Sequence, residues 1–593
     1  MIRAPLRPLA RILQARAKGE NPDVIERENV RLRAEAIRDR ARARAEGRLV
    51  ILGFAFFCAF SVIGLRMGVL ASTAPAEPKA ASSGAEILTL RSDIVDRNGR
   101  LLATNMVTSA LYAHPKQMID PARVAAELAG IFPDMNAEDL QRRFTDGRSF
   151  LWLRRKLSPE QVQAVHDIGD PGLLFGPREM RLYPNGRMAS HVLGGAGFGA
   201  EGVNAAEVIG TAGIEMALDT RLRDPALAGT PLRLSLDLTI QAATTEILGA
   251  GMTIMNAVGA TAILMDAHTG EVIALVSLPD FDPNDRPANP TSGDPADSPL
   301  FNRAMQGVYE LGSTFKIFAA AQAMELGLVN KDTLINANAP MKWGKFQIKE
   351  FKNKNYGTLS VKDIIEKSSN VGAARLGLLI GGERQQAFLK SLGFFVATPL
   401  ELIEAPRAKP LIPARWPEIV TITTSYGHGM SASPMHLAAA YGMIANGGVT
   451  VTPTLLQRDK VPEGVRVISP QVARDAIDML RSVVTDGTAS FGEVEGYEVA
   501  GKTGTANKPR KGGGYYEDKN INTFAAMFPA SDPKYVLVVT LYEPVDTSSS
   551  EPHRTAGWTT VPVAAEIIRR VAPLLGVRPI KPLTGDVLTP VRN

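Results

Sequence analysis

Three short polar elements follow one another in the chain: Ser313-Thr-Phe-Lys316, Ser368-Ser-Asn370 and Lys502-Thr-Gly-Thr505. A serine hydroxyl is a poor nucleophile until a neighbouring base removes its proton. Lys316 lies three residues beyond Ser313, so on a helix the two side chains share a face. A lysine serves as the base only when its amine is neutral, and burial or a nearby cation lowers its pKa. Phe315, Ile317 and Phe318 offer an apolar setting, and Lys502 a second cation. Ser368 can relay a proton to a leaving amine, while Asn370 can donate to a substrate amide and hold Lys316.

The third element reads as a strand, EVAGKTGTA, whose Gly501 and Gly504 let another backbone approach closely. An extended peptide pairing along it would bring a terminal carboxylate to Lys502 and Thr505. The backbone N–H groups of Ser313 and Thr505 then make an oxyanion hole. Taken singly, each element has a plain structural explanation, a capping serine before an exposed lysine or a turn asparagine. The ordered set points instead to acyl transfer through Ser313.

Two competing sites fail on context. Gly496 to Thr503, GYEVAGKT, matches the phosphate-loop pattern letter for letter. That pattern needs a strand before the loop and a helix opening at the lysine. Here strand-like YEVA fills the supposed loop, and TGTANKPRKGGG starts no helix. Cys58, the only cysteine, lies in an apolar run with no polar residue to activate it and cannot form an intramolecular disulfide or a thiolate metal site.

The elements that must position these residues are legible in outline. Gly312 precedes the nucleophile and an alanine-rich helical stretch follows it through Met324. YGTLSVKDIIEK reads as a helix capped near Ser360, and VGAARLGLLIG as another, so the Ser368 triplet falls at a helix junction. TAILMDAHTGEVIALVSLP reads as a hairpin turning at Asp266 to Gly270, and KYVLVVTLYEP as a buried strand around Val536 to Leu541. Strands at both ends with helices between them imply an α+β fold.

At 593 residues, several folded units are expected. The +5 charge is not a nucleic-acid signature. Residues 1–48 hold 13 basic against 7 acidic residues, leaving 53 against 54 elsewhere. Leu49 to Ala71 is apolar enough to span a bilayer, interrupted only by Arg66 near its end. A cleaved signal peptide fits less well, because the leader is far longer than a signal n-region. The positive-inside rule puts the tail in the cytoplasm and the rest outside. Within the tail, Asn21 and Pro22 would cap and open a helix reaching Ala45. The expected organisation is a basic tail over 1–48, an anchor over 49–71, a linker over 72–86, a pedestal domain over 87–232, a catalytic domain over 233–580 and a C-terminal tail over 581–593.

The three elements resemble the signature set of penicillin-binding proteins and class A β-lactamases. The likeness extends along the exported part. RSDIVDRNGRLLATN, RLYPNGRMASHVLG and GTAGIEMALD resemble the N-terminal motifs of class B penicillin-binding proteins. FDPN through FNRAMQGVYELGSTFK, and TTSYGHGMSASPMHLAAAYGMIANGG, resemble their catalytic core. KSSNVG with SYGHGM is most similar to the septal, FtsI-type members. The resemblance implies a penicillin-binding/serine β-lactamase-like transpeptidase domain, an antiparallel sheet flanked by helices, after an elongated pedestal and one transmembrane helix.

It further implies D,D-transpeptidation of peptidoglycan. Ser313 attacks a D-Ala-D-Ala bond, releases D-alanine and passes the acyl group to a neighbouring stem. Lys316 would be the base, Ser368 and Asn370 the relay and clamp, and Lys502, Thr503, Gly504 and Thr505 the substrate-binding strand. Neither metal nor cofactor is implied. The implied partners are stem peptides, lipid-linked nascent glycan, β-lactams as covalent inhibitors, and an FtsW-type polymerase with other division proteins of the inner membrane. An elongation-specific relative, a carboxypeptidase and a β-lactam sensor share the same motifs. Arg91, Asp96, Arg181, Gly213 and Glu215 are implied to be structural. Leu311 departs from the family's frequent proline, with little consequence expected. No appended C-terminal module and no N-terminal glycan-polymerising domain are expected.

Overall fold

Asn21 accepts the Asp23 N–H at 3.0 Å, and Pro22 opens a helix that runs unbroken to Ser72. The expected tail helix and anchor are therefore one element. The arginine- and alanine-rich stretch has high helix propensity, and the lone Gly47 is too weak a breaker to end it. Its Gly47–Met67 portion is long and apolar enough to cross a membrane, with a mean hydropathy of 2.2 and none of it buried. The computed structural model describes residues 7–72, 91–201, 206–510 and 513–580, in two compact units that divide between Ala81 and Ser82. The expected linker beyond Ser72 and the tail from 581 lie outside the described residues.

The second unit is organised around a five-stranded antiparallel sheet. In chain order its strands are β1 (Gly259–Asp266), β2 (Val272–Leu278), β3 (Ala500–Pro509), β4 (Tyr515–Phe528) and β5 (Tyr535–Tyr542). Their spatial order is β3-β4-β5-β1-β2, so the N-terminal hairpin sits beside strands from the far end of the chain. β1, β2 and β5 are buried along nearly their whole length because helices pack on the sheet. Leu238–Ile254 and the C-terminal helix Ala556–Leu574 pack against each other, and Gly251 has no room for a Cβ, which would meet Val563 at 2.6 Å. Pro434–Ala445 and Pro470–Thr485 form a second group on the sheet.

The strand expected over EVAGKTGTA opens only at Ala500. Gly496 and Glu498 take φ values of 85° and 41°, so the chain turns where the side-chain pattern alone suggested extension. β3 is the edge strand, which leaves one row of its backbone groups without a strand neighbour. It runs straight through Lys502, and no helix opens there, so the phosphate-loop context is absent.

Before the sheet, Leu101–Ala113 pairs antiparallel with Leu151–Leu157 and Leu173–Leu182 over a separate small core that includes Leu111, Val124, Leu128 and Phe132. A buried ion cluster closes this pedestal. Glu215 takes Arg91 Nε at 2.8 Å on one oxygen and Arg181 Nε at 2.7 Å on the other. Arg91 also donates to Asp219 at 2.7 Å, and Arg181 to Asn105 at 3.0 Å. Asp96 links the pedestal to the catalytic region by accepting the Leu238 N–H at 3.1 Å, while holding its own turn through Asn98 and Arg100. Gly213 adopts φ 56° and packs so close to Gly194 that a Cβ would lie 2.6 Å from its nitrogen.

Candidate active site

Ser313 lies in a short 3-10 turn, Gly312–Phe315, that leads into helix α1, Lys316–Glu325. The turn is fixed from behind: Thr314 Oγ1 donates to the Leu311 carbonyl at 2.9 Å, and the Tyr441 hydroxyl to the Thr314 carbonyl at 3.0 Å. Two glycines let β3 and a loop close on it. A Cβ on Gly504 would sit 2.4 Å from the Leu311 oxygen, and one on Gly427, at φ 84°, 1.9 Å from the Gly312 oxygen. Gly312 in turn faces the Thr505 backbone, its Cβ position 3.0 Å from that carbonyl oxygen. The main chains of Ser313 and Thr505 therefore run side by side.

Lys316 is fully buried, and four oxygens surround its Nζ. They are Ser313 Oγ at 2.9 Å, the Ser368 carbonyl at 2.6 Å, Ser368 Oγ at 3.0 Å and Asn370 Oδ1 at 2.8 Å. Two of these, the carbonyl and the amide oxygen, can only accept. A neutral amine has two N–H groups for those two and one lone pair left to receive a hydroxyl proton. Burial lowers its pKa from 10.5 to about 7, against the upward pull of Glu350. Proximity to Lys502 is not what lowers it, although burial and the charge of Lys316 together push Lys502 well down.

Ser368 and Asn370 reach this amine from the junction between α2 (Val361–Glu366) and α3 (Asn370–Ile380). A capping box between Ser360 and Asp363 starts α2 where the sequence places it. Ser368 itself holds φ 61°, a backbone conformation unfavourable for a residue with a Cβ. The strain persists because Lys316 Nζ holds the Ser368 carbonyl and hydroxyl while Glu350 fixes the three residues that follow. The buried Glu350 carboxylate accepts Ser369 Oγ at 2.6 Å and the N–H groups of Asn370 and Val371 at 2.8 and 3.0 Å. A negative group at a helix N-terminus satisfies otherwise unpaired donors and suits the helix dipole.

On the other wall, Lys502 is completely buried and reaches only its neighbour Thr503, with long contacts of 3.3 and 3.4 Å. It makes no hydrogen bond to Ser313 or Ser368. Thr503 Oγ1 pairs with Thr488 Oγ1 at 2.8 Å, and Thr505 Oγ1 accepts the Ala556 N–H at 3.1 Å. Glu310, three residues before Ser313, collects His428 Nδ1 at 3.0 Å, the Gly429 N–H at 2.8 Å and the Tyr515 hydroxyl at 3.0 Å. It thereby ties the SYGHG loop and the start of β4 to the loop that carries Ser313. Sequence reading singled out neither Glu310 nor Glu350; each binds partners remote in the chain or capped only after folding.

A serine–lysine pair enclosed by two helices and an open sheet edge defines the serine acyl-transferases built on the penicillin-binding fold. A family model for the penicillin-binding protein transpeptidase domain matches residues 260–568, and one for the penicillin-binding protein dimerisation domain matches residues 86–225. The chain is 33% identical to a probable peptidoglycan D,D-transpeptidase FtsI of Caulobacter vibrioides over 562 residues, 91% of each chain. It is 28% identical to the peptidoglycan D,D-transpeptidase FtsI of Escherichia coli K12, covering 84% of this chain and 86% of that one. The crystal structure of penicillin-binding protein 3 from Mycobacterium tuberculosis complexed with aztreonam superposes with a TM-score of 0.63 at 25% identity, covering 84% of this chain and 98% of that one. The chain belongs to the class B penicillin-binding proteins of the FtsI type.

Proposed function

We propose that the chain is a single-pass inner-membrane peptidoglycan D,D-transpeptidase that cross-links stem peptides at the division septum through an acyl-enzyme on Ser313. The observation that carries this reading is the Lys316 amine, buried at 2.9 Å from Ser313 Oγ with two accept-only oxygens already occupying its N–H groups. The Ser313 proton passes to Nζ as Oγ attacks the carbonyl of the penultimate D-alanine. Charge developing on that oxygen is met by the Ser313 and Thr505 N–H groups. Ser368 Oγ, 3.0 Å from Nζ, carries the proton on to the departing nitrogen, the C–N bond breaks and D-alanine leaves.

The donor lies along the free edge of β3, its terminal carboxylate on Thr503 and Thr505 with Lys502 beneath. A carboxylate arriving there reverses the local balance for Lys502, whose charge burial otherwise disfavours. β-Lactams follow the same course and stop at the ester. An FtsW-type glycan polymerase and lipid-linked glycan are the partners that this placement calls for, with the basic tail in the cytoplasm and the domain beyond the anchor in the periplasm.

The test is covalent labelling of the full-length protein by fluorescent penicillin, with mass spectrometry of the labelled peptide. Label on the Ser313 peptide, absent from Ser313→Ala, is expected; equal labelling of both would sink the mechanism. Midcell localisation is expected, and a sidewall pattern would replace the septal assignment with an elongation role.

A further inference from the structure

Phe491, Trp558 and His553 make an aromatic shelf beside the carboxylate end of the site. His553 stacks on Trp558 with ring centroids 4.1 Å apart and planes 10° apart, and Phe491 lies against the same indole at 5.1 Å. Phe491 is 53% exposed and Trp558 43%. The residues that follow Trp558 in the C-terminal helix, Thr559, Thr560 and Val561, are buried, so the core is filled without it. Clustered exposed aromatics of this kind mark contact surfaces.

Residues next to the shelf in the chain reach the hydroxyls of β3. The Ala556 N–H donates to Thr505 Oγ1 at 3.1 Å. Thr488 shares a 2.8 Å hydrogen bond with Thr503. Gly557 fits against the Thr488 carbonyl, where a Cβ would come within 2.6 Å. The shelf therefore borders the place where the leaving D-alanine keeps its carboxylate, on the opposite side of the scissile bond from the acyl part of the donor. A departing alanine carries only a methyl group. The amine that replaces it must approach along the path by which the leaving nitrogen departed, and it brings a peptide that has to lie somewhere beyond.

We infer that the Phe491–Trp558–His553 shelf is the docking subsite for the acceptor stem peptide, whose amine-bearing aliphatic side chain and adjoining peptide plane lie across the rings. This rests on the assignment of Thr503 and Thr505 to the leaving carboxylate. The amine nitrogen attacks the ester carbon, the C–N bond forms and the C–Oγ bond breaks. The amine's proton returns through Ser368 and Lys316 to Ser313 Oγ. The rings hold the acceptor in line and exclude the water that would otherwise hydrolyse the ester.

The test uses the full-length protein, a D-alanyl thioester donor and two acceptors, free D-alanine and a synthetic stem peptide with a side-chain amine. In Trp558→Ala, aminolysis by the stem peptide should fall about tenfold relative to hydrolysis. Penicillin acylation and aminolysis by D-alanine should stay within about twofold of wild type. Unchanged stem-peptide aminolysis would overturn the inference. Should Trp558→Ala lose all three reactions, the more exposed Phe491→Ala decides. A selective loss of about threefold supports the subsite, and an equal or absent change refutes it. A wild-type protein that forms no ester on Ser313 would overturn the underlying site assignment, and the shelf's role with it.

Discussion

The pedestal and the active site both bury charge, and they treat it in opposite ways. In the pedestal, Arg91, Arg181 and Glu215 are all almost fully buried, and each cation meets a carboxylate directly. Burial works against the Arg91 charge, but Glu215 and Asp219 outweigh it and hold its pKa above the ordinary value. In the active site two lysines are buried just as completely, and neither touches a carboxylate. Glu350 is near enough to pull Lys316 upward, yet its oxygens are committed to Ser369, Asn370 and Val371, and burial prevails. Balanced charge holds its cations fully charged; unbalanced charge leaves the Lys316 amine with its pKa brought down to about 7.

The largest test of that contrast is Lys316→Ala. It should reduce penicillin acylation of Ser313 by about 10²–10⁴-fold, read by stopped-flow or gel labelling, with the circular dichroism spectrum unchanged. Next, Glu215→Ala leaves buried Arg181 without a carboxylate and Arg91 with Asp219 alone; it should cost about 3–5 kcal/mol in denaturant unfolding, while the protein that remains folded still acylates. If Glu215→Ala instead abolished acylation without loss of stability, the two regions would not divide the work in this way.

Glu350→Gln keeps the shape but places an amide N–H₂ among three donors. A loss of about 1–3 kcal/mol, seen as slower acylation together with lower stability, is expected. Acylation should also fall about tenfold per pH unit below about 7, where Lys316 gains its proton, and level off above it. A profile flat from pH 5.5 to 8.5 would remove Lys316 as the base. The smallest effect has the opposite sign. Because the folded pKa of Lys316 lies below its ordinary 10.5, the unfolded chain binds more protons between about 7 and 10.5. The stability penalty is therefore complete below about pH 7 and fades as pH rises. Lys316→Met should raise Tm by roughly 2–4 °C at pH 7, and by less at pH 10.

Much of this site is legible in the sequence because its chemistry is carried by local patterns. Ser313 and Lys316 are one turn apart, Ser360 and Asp363 form a capping box, and the Asp266–Gly270 turn closes the β1–β2 hairpin as its composition predicts. The supporting carboxylates are not local. Glu350 acts 19 to 21 residues away, and Glu310 meets Tyr515 across 205 residues, so neither leaves a periodic trace. The start of β3 is misread for the same kind of reason. Tyr497 and Val499 have strand-like side chains, but Glu498 between them takes a positive φ to turn the chain towards the sheet. The long N-terminal helix shows the reverse case, where a change in composition near Gly47 suggests two elements and the backbone continues as one.

The glycines at 427 and 504 carry a consequence for selection. Each stands where a single methyl group would collide with the backbone just before Ser313, at 1.9 and 2.4 Å. A population exposed to β-lactams has no gradual route through either position, since even alanine displaces the main chain that leads into Ser313. Changes that the site tolerates are those that leave the main chains around Ser313 in place.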